Sequence, residues 1–548
     1  MITRKKPTGF MNETELISSP GGKPNRNAEE LQEGQVIVPD EPPGTKFSFK
    51  TLWAYTGPGW LMSIAYLDPG NLESDLQAGA YCGYQLIWVL FVSTVLGLVL
   101  QILAARLGAV TGKNLAQICR QEYPRPVAMI LWVMTELAII GSDIQEVVGS
   151  AIAMKILFDW PLWAGTLLTG LDTFTFLLIH YFGVRKLEAL FAFLIMSMCV
   201  CFFVNYGIAT PPAAKVMEGF LPDLTSYAVV PAVGLVGAVI MPHNIYLHSA
   251  LVQSRQIDRN NTNKVKEANK YFAVEAAIAL FVSFLINLAV VTVFALKFFD
   301  DGSQHDLRCA QDGKARLLAN GTYVCKEIGL SNAGDALKDT LHKSASTVWA
   351  IGLLAAGQSS TMTGTFAGQY VMEGFLDLKI AIWKRVMITR GIALVPAILV
   401  AVIATNSEDQ LSQWLNVLQS VQLPFALIPI LHFTSRHSIM GDFKNGVKMQ
   451  VFGWTVSLAV IAINIYLVVV QLQQAAPFGW FSYLLVVVVS AVYFLFIALL
   501  VKEDVSRGLR YCAERHNAHM LTQRLQESET TGRSLGEPTL SVNVGDKA

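Results

Sequence analysis

The chain has 548 residues, 53% of them hydrophobic and 15% charged, a balance too apolar for a soluble domain of this size and one that implies repeated membrane spans. Lys plus Arg and Asp plus Glu number 41 each, so no basic face argues for nucleic acid and no acidic bias argues for a polycation. The seven cysteines contain no CxxC pair, which removes the simplest zinc and redox motifs.

Residues 1–50 are polar and lack the short apolar core of a cleavable signal peptide; they read as a disordered cytosolic tail. Residues 51–502 hold about twelve stretches that approach the roughly 20 apolar residues of a spanning helix. They lie near 53–77, 85–108, 127–155, 161–181, 186–208, 228–253, 271–299, 345–372, 383–405, 411–433, 449–473 and 480–501. Residues 503–548 turn polar again and read as a second tail on the same side, since the count is even.

Cytoplasmic loops retain Lys and Arg. One set of loops carries Lys113, Arg120 and Arg125, then Arg185 and Lys186, then Arg255, Arg259, Lys264 and Lys266, then Lys379, Lys384 and Arg385. The opposite short loops near 78–84, 406–410 and 474–479 carry none, so both tails are expected in the cytosol. The loop near 300–344 falls outside despite Arg308, Lys314 and Arg316. It also holds Cys309, Cys325 and the sequon at Asn320, which suit an exoplasmic loop with a disulfide and a glycan.

Two spans are interrupted in mid-membrane. The first contains Asp68-Pro69-Gly70-Asn71 and the sixth Met241-Pro242-His243-Asn244. Proline has no amide hydrogen, so carbonyls before each break, near Ala65 and Ala238, lose their helical donors, and such backbone is tolerated at that depth only inside protein or along a wet cavity. Five spans separate the starts of the two, so they run in opposite directions. That is the pattern of inverted repeats, here about 53–208 and 228–433, with extra helices over 449–501 and the substrate site where the breaks meet. Simple proline kinks in packed helices are the plainer alternative.

A carboxylate at the bilayer centre must be paired, coordinated or protonated, which singles out Asp68. Asn71 adds a neutral oxygen, the carbonyls of Ala65 and Ala238 add more, and Met241 adds a thioether sulfur. Hard Ca²⁺ and Mg²⁺ prefer all-oxygen shells, whereas a thioether beside oxygens favours softer ions such as Fe²⁺, Mn²⁺, Co²⁺ or Cd²⁺; a methionine also serves as core filler. Glu136, Asp143 and Glu146 in the third span are proton-relay candidates, or structural partners of Arg390 or of hydroxyls. His243 is a second candidate carrier because a histidine can titrate near neutral pH, with a polar packing residue as the alternative, and His248 is a weaker one. In the tenth span, spacing leaves Asn416, Gln419 and Gln422 open.

With these motifs, and with Gly357-Gln358-Ser359-Ser360-Thr361 and Leu423-Pro424-Phe425-Ala426, the chain resembles the Nramp (divalent metal transporter) family over about residues 47–500, its flanks looking closest to animal members. The resemblance implies an all-α LeuT-like membrane fold of 5+5 helices plus two. It also implies uptake of Fe²⁺ or Mn²⁺ into the cytosol coupled to protons, by alternating access. Asp68, Asn71, Met241 and the Ala238 carbonyl are then expected to bind metal with Asn416, while Asp143, Glu146, His243 and Arg390 belong to the proton route. No enzyme activity and no resident cofactor are expected, and the host is the plasma membrane or an endosomal or lysosomal membrane. A symporter of amino acids would have its substrate carboxylate repelled by Asp68, and a metalloenzyme lacks HExxH; a non-transporting metal sensor is the remaining alternative.

Overall fold

The computed structural model describes residues 36–39, 47–181, 184–225, 228–299, 315–317, 323–325, 328–341, 343–377, short pieces between 384 and 399, 408–475, and most of 480–502. The chain divides into two compact units, Met1–Leu423 and Pro424–Ala548. In the first, strand β1 (Val36–Ile37) precedes helices α1 (Phe49–Tyr55), α2 (Pro58–Ile64), α3 (Pro69–Cys82), α4 (Ile87–Thr111), α5 (Leu115–Glu122), α6 (Arg125–Phe158), α7 (Leu162–Tyr181), α8 (Val184–Ala209) and α9 (Ala213–Glu218). There follow α10 (Val229–Val239), α11 (Pro242–Leu251), β2 (Arg255–Gln256), α12 (Thr262–Phe298), a hairpin of β3 (Ala315–Leu317) and β4 (Tyr323–Cys325), α13 (Leu330–Thr340), α14 (Lys343–Leu376) and α15 (Glu408–Gln422). The second unit holds α16 (Pro424–Thr434), α17 (His437–Met440), α18 (Val447–Ala475) and α19 (Val486–Lys502).

Among the described residues, seven helical stretches are long and apolar enough to cross a membrane. The first predicted span is not one of them, for a physical reason: its central pieces, α2 and α3, have 7 and 14 residues, each shorter than a bilayer requires. The ninth predicted span falls largely outside the described residues. Helix α8 turns Phe193, Met196 and Val200 outward, each more than half exposed; spaced by three and four residues, they make one apolar face suited to lipid. Helix α12, at 37 residues, extends about 55 Å at 1.5 Å per residue, well past the roughly 30 Å hydrocarbon layer.

The interior is packed by aromatics in the first unit. Trp349 on α14 lies edge-on to Phe202 of α8 and Phe294 of α12, with ring centroids 5.4 and 5.3 Å apart. In the second unit Phe425 meets Tyr493 at 5.4 Å, and the Tyr493 hydroxyl accepts from Asn464 Nδ2 at 2.9 Å.

The N-terminal tail carries more order than its composition suggests. β1 pairs in parallel with β2, Val36 opposite Arg255, Val38 is buried, and the Pro39 carbonyl accepts from Lys264 Nζ at 3.0 Å. Helix α1 begins at Phe49 behind a Ser48 cap, two residues before the predicted boundary. Arg255, counted in the sequence as a loop charge, is wholly buried. It donates to the Ala54 carbonyl at 3.0 Å, to the Thr56 carbonyl, and to Glu188 of α8 at 2.7 Å.

Of the expected disulfide and glycan, Cys309 and Asn320 lie outside the described residues, and of Cys325 only the backbone is described.

Candidate metal centre

The first break follows from one missing proton. In a continuous helix residue 69 would donate to the Ala65 carbonyl, and Pro69 cannot. Helix α2 ends instead in tight turns, Ala65 N to Met62 O at 3.1 Å and Leu67 N to Ile64 O at 2.9 Å. Helix α3 restarts with Asp68 as its cap: Oδ1 accepts from Asn71 N at 3.1 Å and from the Asn71 side-chain amide. Pro242 repeats the device against the Ala238 carbonyl, with α10 ending at Val239 and Met241 in extended conformation (φ −76°, ψ 128°) before α11. The breaks meet where Asn244 Nδ2 reaches the Ala65 carbonyl at 3.4 Å.

Backbone opened inside protein needs other partners, and α12 supplies them along one face. Glu275 Oε1 accepts from Gly57 N and, at 3.0 Å, from Gly59 N. Ser283 Oγ donates to Ser63 O at 3.0 Å and Asn287 Nδ2 to Tyr66 O at 2.9 Å. Residues 275, 283 and 287 are separated by multiples of four, so they share a stripe.

What is left unsatisfied marks the site. Asp68 Oδ2 and Asn71 Oδ1 have no hydrogen-bond partner, and neither residue is more than 1% exposed. Met241 is 2% exposed. No three His, Cys, Asp or Glu side chains converge among the described residues. The residues at the two breaks offer one acid, one amide, peptide oxygens that lost their helical donors to the two prolines and one sulfur, a mixed set of the kind that suits borderline ions.

Asn416 lies against this centre with both ends of its amide engaged. Its Nδ2 donates to Gly70 O at 3.0 Å and Ser74 Oγ at 2.8 Å, while its oxygen accepts from Gln145 Nε2 at 2.8 Å. Gln419 and Gln422, buried on the same helix, have side-chain oxygens and nitrogens without partners. Helix α15 comes this close because residue 237 is glycine: a Cβ there would strike the Asn416 carbonyl oxygen and lie 2.8 Å from Ser420 N. Gly237→Val is expected to destabilise the protein by about 1–3 kcal/mol through overpacking, read as a lowered thermal midpoint in detergent.

Asp143 and Glu146 are brought together on α6. Ser142 Oγ donates to Glu146 Oε1 at 3.0 Å, and Gly364 of α14 leaves room for both acids, since a Cβ there would lie 2.6 Å from Asp143 Oδ1. Glu136, half-buried two turns earlier, accepts from Trp132 Nε1 at 2.9 Å. His243 is buried with Nδ1 unpartnered. His248 Nδ1 lies 2.8 Å from Gln101 Oε1, whose Nε2 donates to the Tyr66 hydroxyl at 3.2 Å. Arg390 lies outside the described residues.

Sequence reading passed over Gln145 and Asp75, as it did the bracing residues of α12. Gln145 braces Asn416 and contacts the Ser412 carbonyl at 2.9 Å. Asp75, two turns beyond Asp68 on α3, is fully buried with both carboxylate oxygens unpartnered. The available signal was its spacing of seven from Asp68 along one helix.

Comparison with known proteins bears on the chain as a whole. The family model described as natural resistance-associated macrophage protein-like matches residues 59–470. The metal transporter nramp1 homolog of Dictyostelium discoideum is 55% identical over 445 residues, 80% of this chain and 79% of that one. Natural resistance-associated macrophage protein 2 of Homo sapiens is 46% identical over 518 residues, 92% and 90% of the two chains. A crystal structure of the Eremococcus coleocola manganese transporter, in complex with an aromatic bis-isothiourea substituted compound, superposes with TM-score 0.70 at 33% identity, covering 87% of this chain and 99% of that one. In fold alone the chain also resembles Mhp1, a nucleobase-cation-symport-1 family transporter, with TM-score 0.50 at 14% identity over 82% and 93% of the chains.

Proposed function

This chain belongs to the Nramp family of multi-pass membrane metal transporters, and from that premise we propose that it is a proton-coupled symporter carrying Fe²⁺, Mn²⁺ and the related ions Co²⁺ and Cd²⁺ into the cytosol. It is a transporter of metal ions and not an enzyme. The proposed topology has twelve spans with both tails cytosolic, in the plasma membrane or an endosomal or lysosomal membrane.

Asp68, Asn71, Met241 and the carbonyls of Ala65 and Ala238 hold the metal, with Asn416 contributing from α15. Asp68 shares in the proton route with His243, Asp143, Glu146 and Arg390, and Glu136 and His248 lie along it. The observation that supports this reading is the meeting of two proline-broken helices at a buried point where Asp68 Oδ2 and Asn71 Oδ1 have no hydrogen-bond partner. In alternating access the helical pieces on either side of such breaks rock about a fixed ion.

The test is uptake of Mn²⁺, Fe²⁺ and Ca²⁺ into proteoliposomes under an imposed pH gradient. Acid outside is expected to accelerate Mn²⁺ and Fe²⁺ entry; entry indifferent to the gradient would remove proton coupling. Met241→Ala is expected to retain Mn²⁺ flux while Ca²⁺ becomes an effective competitor, because the soft ligand that disfavours Ca²⁺ is gone. Ca²⁺ rejection surviving that change would remove the selectivity role of the sulfur.

A further inference from the structure

The polar residues of α3 sort by face. Glu73, Ser74 and Gln77 are tied to their surroundings: Glu73 Oε1 accepts from the Gln77 side chain and Oε2 from Leu330 N at 2.6 Å, while Ser74 Oγ accepts from Asn416. Asp68, Asn71 and Asp75 lie at positions i, i+3 and i+7 of the other stripe. There Asp68 Oδ2, Asn71 Oδ1 and both oxygens of Asp75 have no hydrogen-bond partner. Burial on this helix thus does not by itself leave an acid unsatisfied, because Glu73, equally buried, is satisfied at both oxygens.

A buried carboxylate with no donor carries a penalty of several kcal/mol unless it is protonated or meets a cation. A side chain that faces its helical neighbours would relieve this by bonding to them, as Glu73 does. We propose that Asp75 is a second, outer cation position: it receives the divalent metal with most of its water still bound, before the ion is stripped at Asp68. This rests on the metal-transport reading above, in which α3 leads from the break toward the exoplasmic side. Seven residues of helix set the two acids about 10 Å apart. A partly hydrated ion needs only one charged oxygen pair, since water fills the remaining coordination. An ion arriving at Asp75 also repels one at Asp68, which favours onward release when sites are adjacent.

The probe is Mn²⁺ alone, with the full-length protein. Free Mn²⁺ is counted by its electron paramagnetic resonance signal in titrations of wild type, Asp68→Ala, Asp75→Asn, and Asp68→Ala combined with Asp75→Asn or Asp75→Glu. Asp68→Ala is expected to retain one weak equivalent of Mn²⁺, which Asp75→Asn removes and Asp75→Glu preserves. In uptake, Asp75→Asn is expected to raise the Mn²⁺ KM about tenfold with a smaller change in maximal rate, the pattern of lost ground-state binding. Asp75→Ser serves as the second variant should the Asn form fail to fold. The outer position is overturned if Asp68→Ala binds no Mn²⁺, if the double variant binds as much as Asp68→Ala, or if KM is unmoved. Failure of wild type to bind or carry Mn²⁺ would instead overturn the metal-transport reading itself.

Discussion

Asp68→Ala is expected to reduce Mn²⁺ flux in proteoliposomes by at least about a hundredfold. Removing one partner from a buried, desolvated charge pair costs about 3–5 kcal/mol, and each 1.4 kcal/mol is a factor of ten. Asn71, Met241 and the peptide oxygens bring no formal charge to replace the one removed. The same side chain also caps α3, through Asn71 N at 3.1 Å, and loss of a cap costs about 0.5–2 kcal/mol of stability. Asp68→Asn separates the two roles, because asparagine is a good cap without the charge. It should melt near the wild-type temperature and still carry no Mn²⁺; substantial flux through Asp68→Asn would show that the charge is dispensable.

The second large effect is expected at Arg255. Arg255→Ala withdraws a fully buried guanidinium from the Glu188 carboxylate and from the carbonyls of Ala54 and Thr56. Breaking such a pair by deleting one side destabilises by about 3–5 kcal/mol, and each carbonyl deprived of its donor adds to that. A much lowered thermal midpoint and loss of monodisperse protein in detergent are the expected readouts. Arg255→Lys should recover part of the loss: an ammonium is a single point charge on a flexible stem and cannot reproduce the planar fork that reaches Glu188, the Ser254 hydroxyl and the two carbonyls at once. A midpoint unchanged in Arg255→Ala would show the network to be incidental.

The two breaks were legible because in each a proline that removes a helical donor stands beside polar residues an apolar run does not explain, and the structure places Asp68 and Met241 at them as the residues just before the restarted helices. The interruption at Thr56–Gly57 was not foreseen. Gly57 adopts φ 149°, open to glycine at little cost, but a glycine in an apolar run does not reveal whether that freedom is used. The restart at Pro424, which divides the predicted tenth span, was likewise read as continuous. Arg255 was counted among the positive charges of a loop, and its burial depends on Glu188, 67 residues away in sequence. Asp75 looked like the polar end of a span. Only the satisfied state of Glu73 beside it, through Leu330, sets it apart, and a contact across 257 residues leaves no trace in local spacing.

The bracing of the broken helices has a mechanical corollary. The short helix α2 hangs from α12 through Gly57, Gly59 and Ser63, whereas α11 is pinned to its other side through His248 on Gln101 and Ser249 on Leu115 N at 2.8 Å. What joins α2's end directly to α11 is the long Asn244 link at 3.4 Å. The two broken helices are thus each held by short hydrogen bonds to other elements and to one another by a long one, so the Asn244 link is the contact most readily lost when either moves.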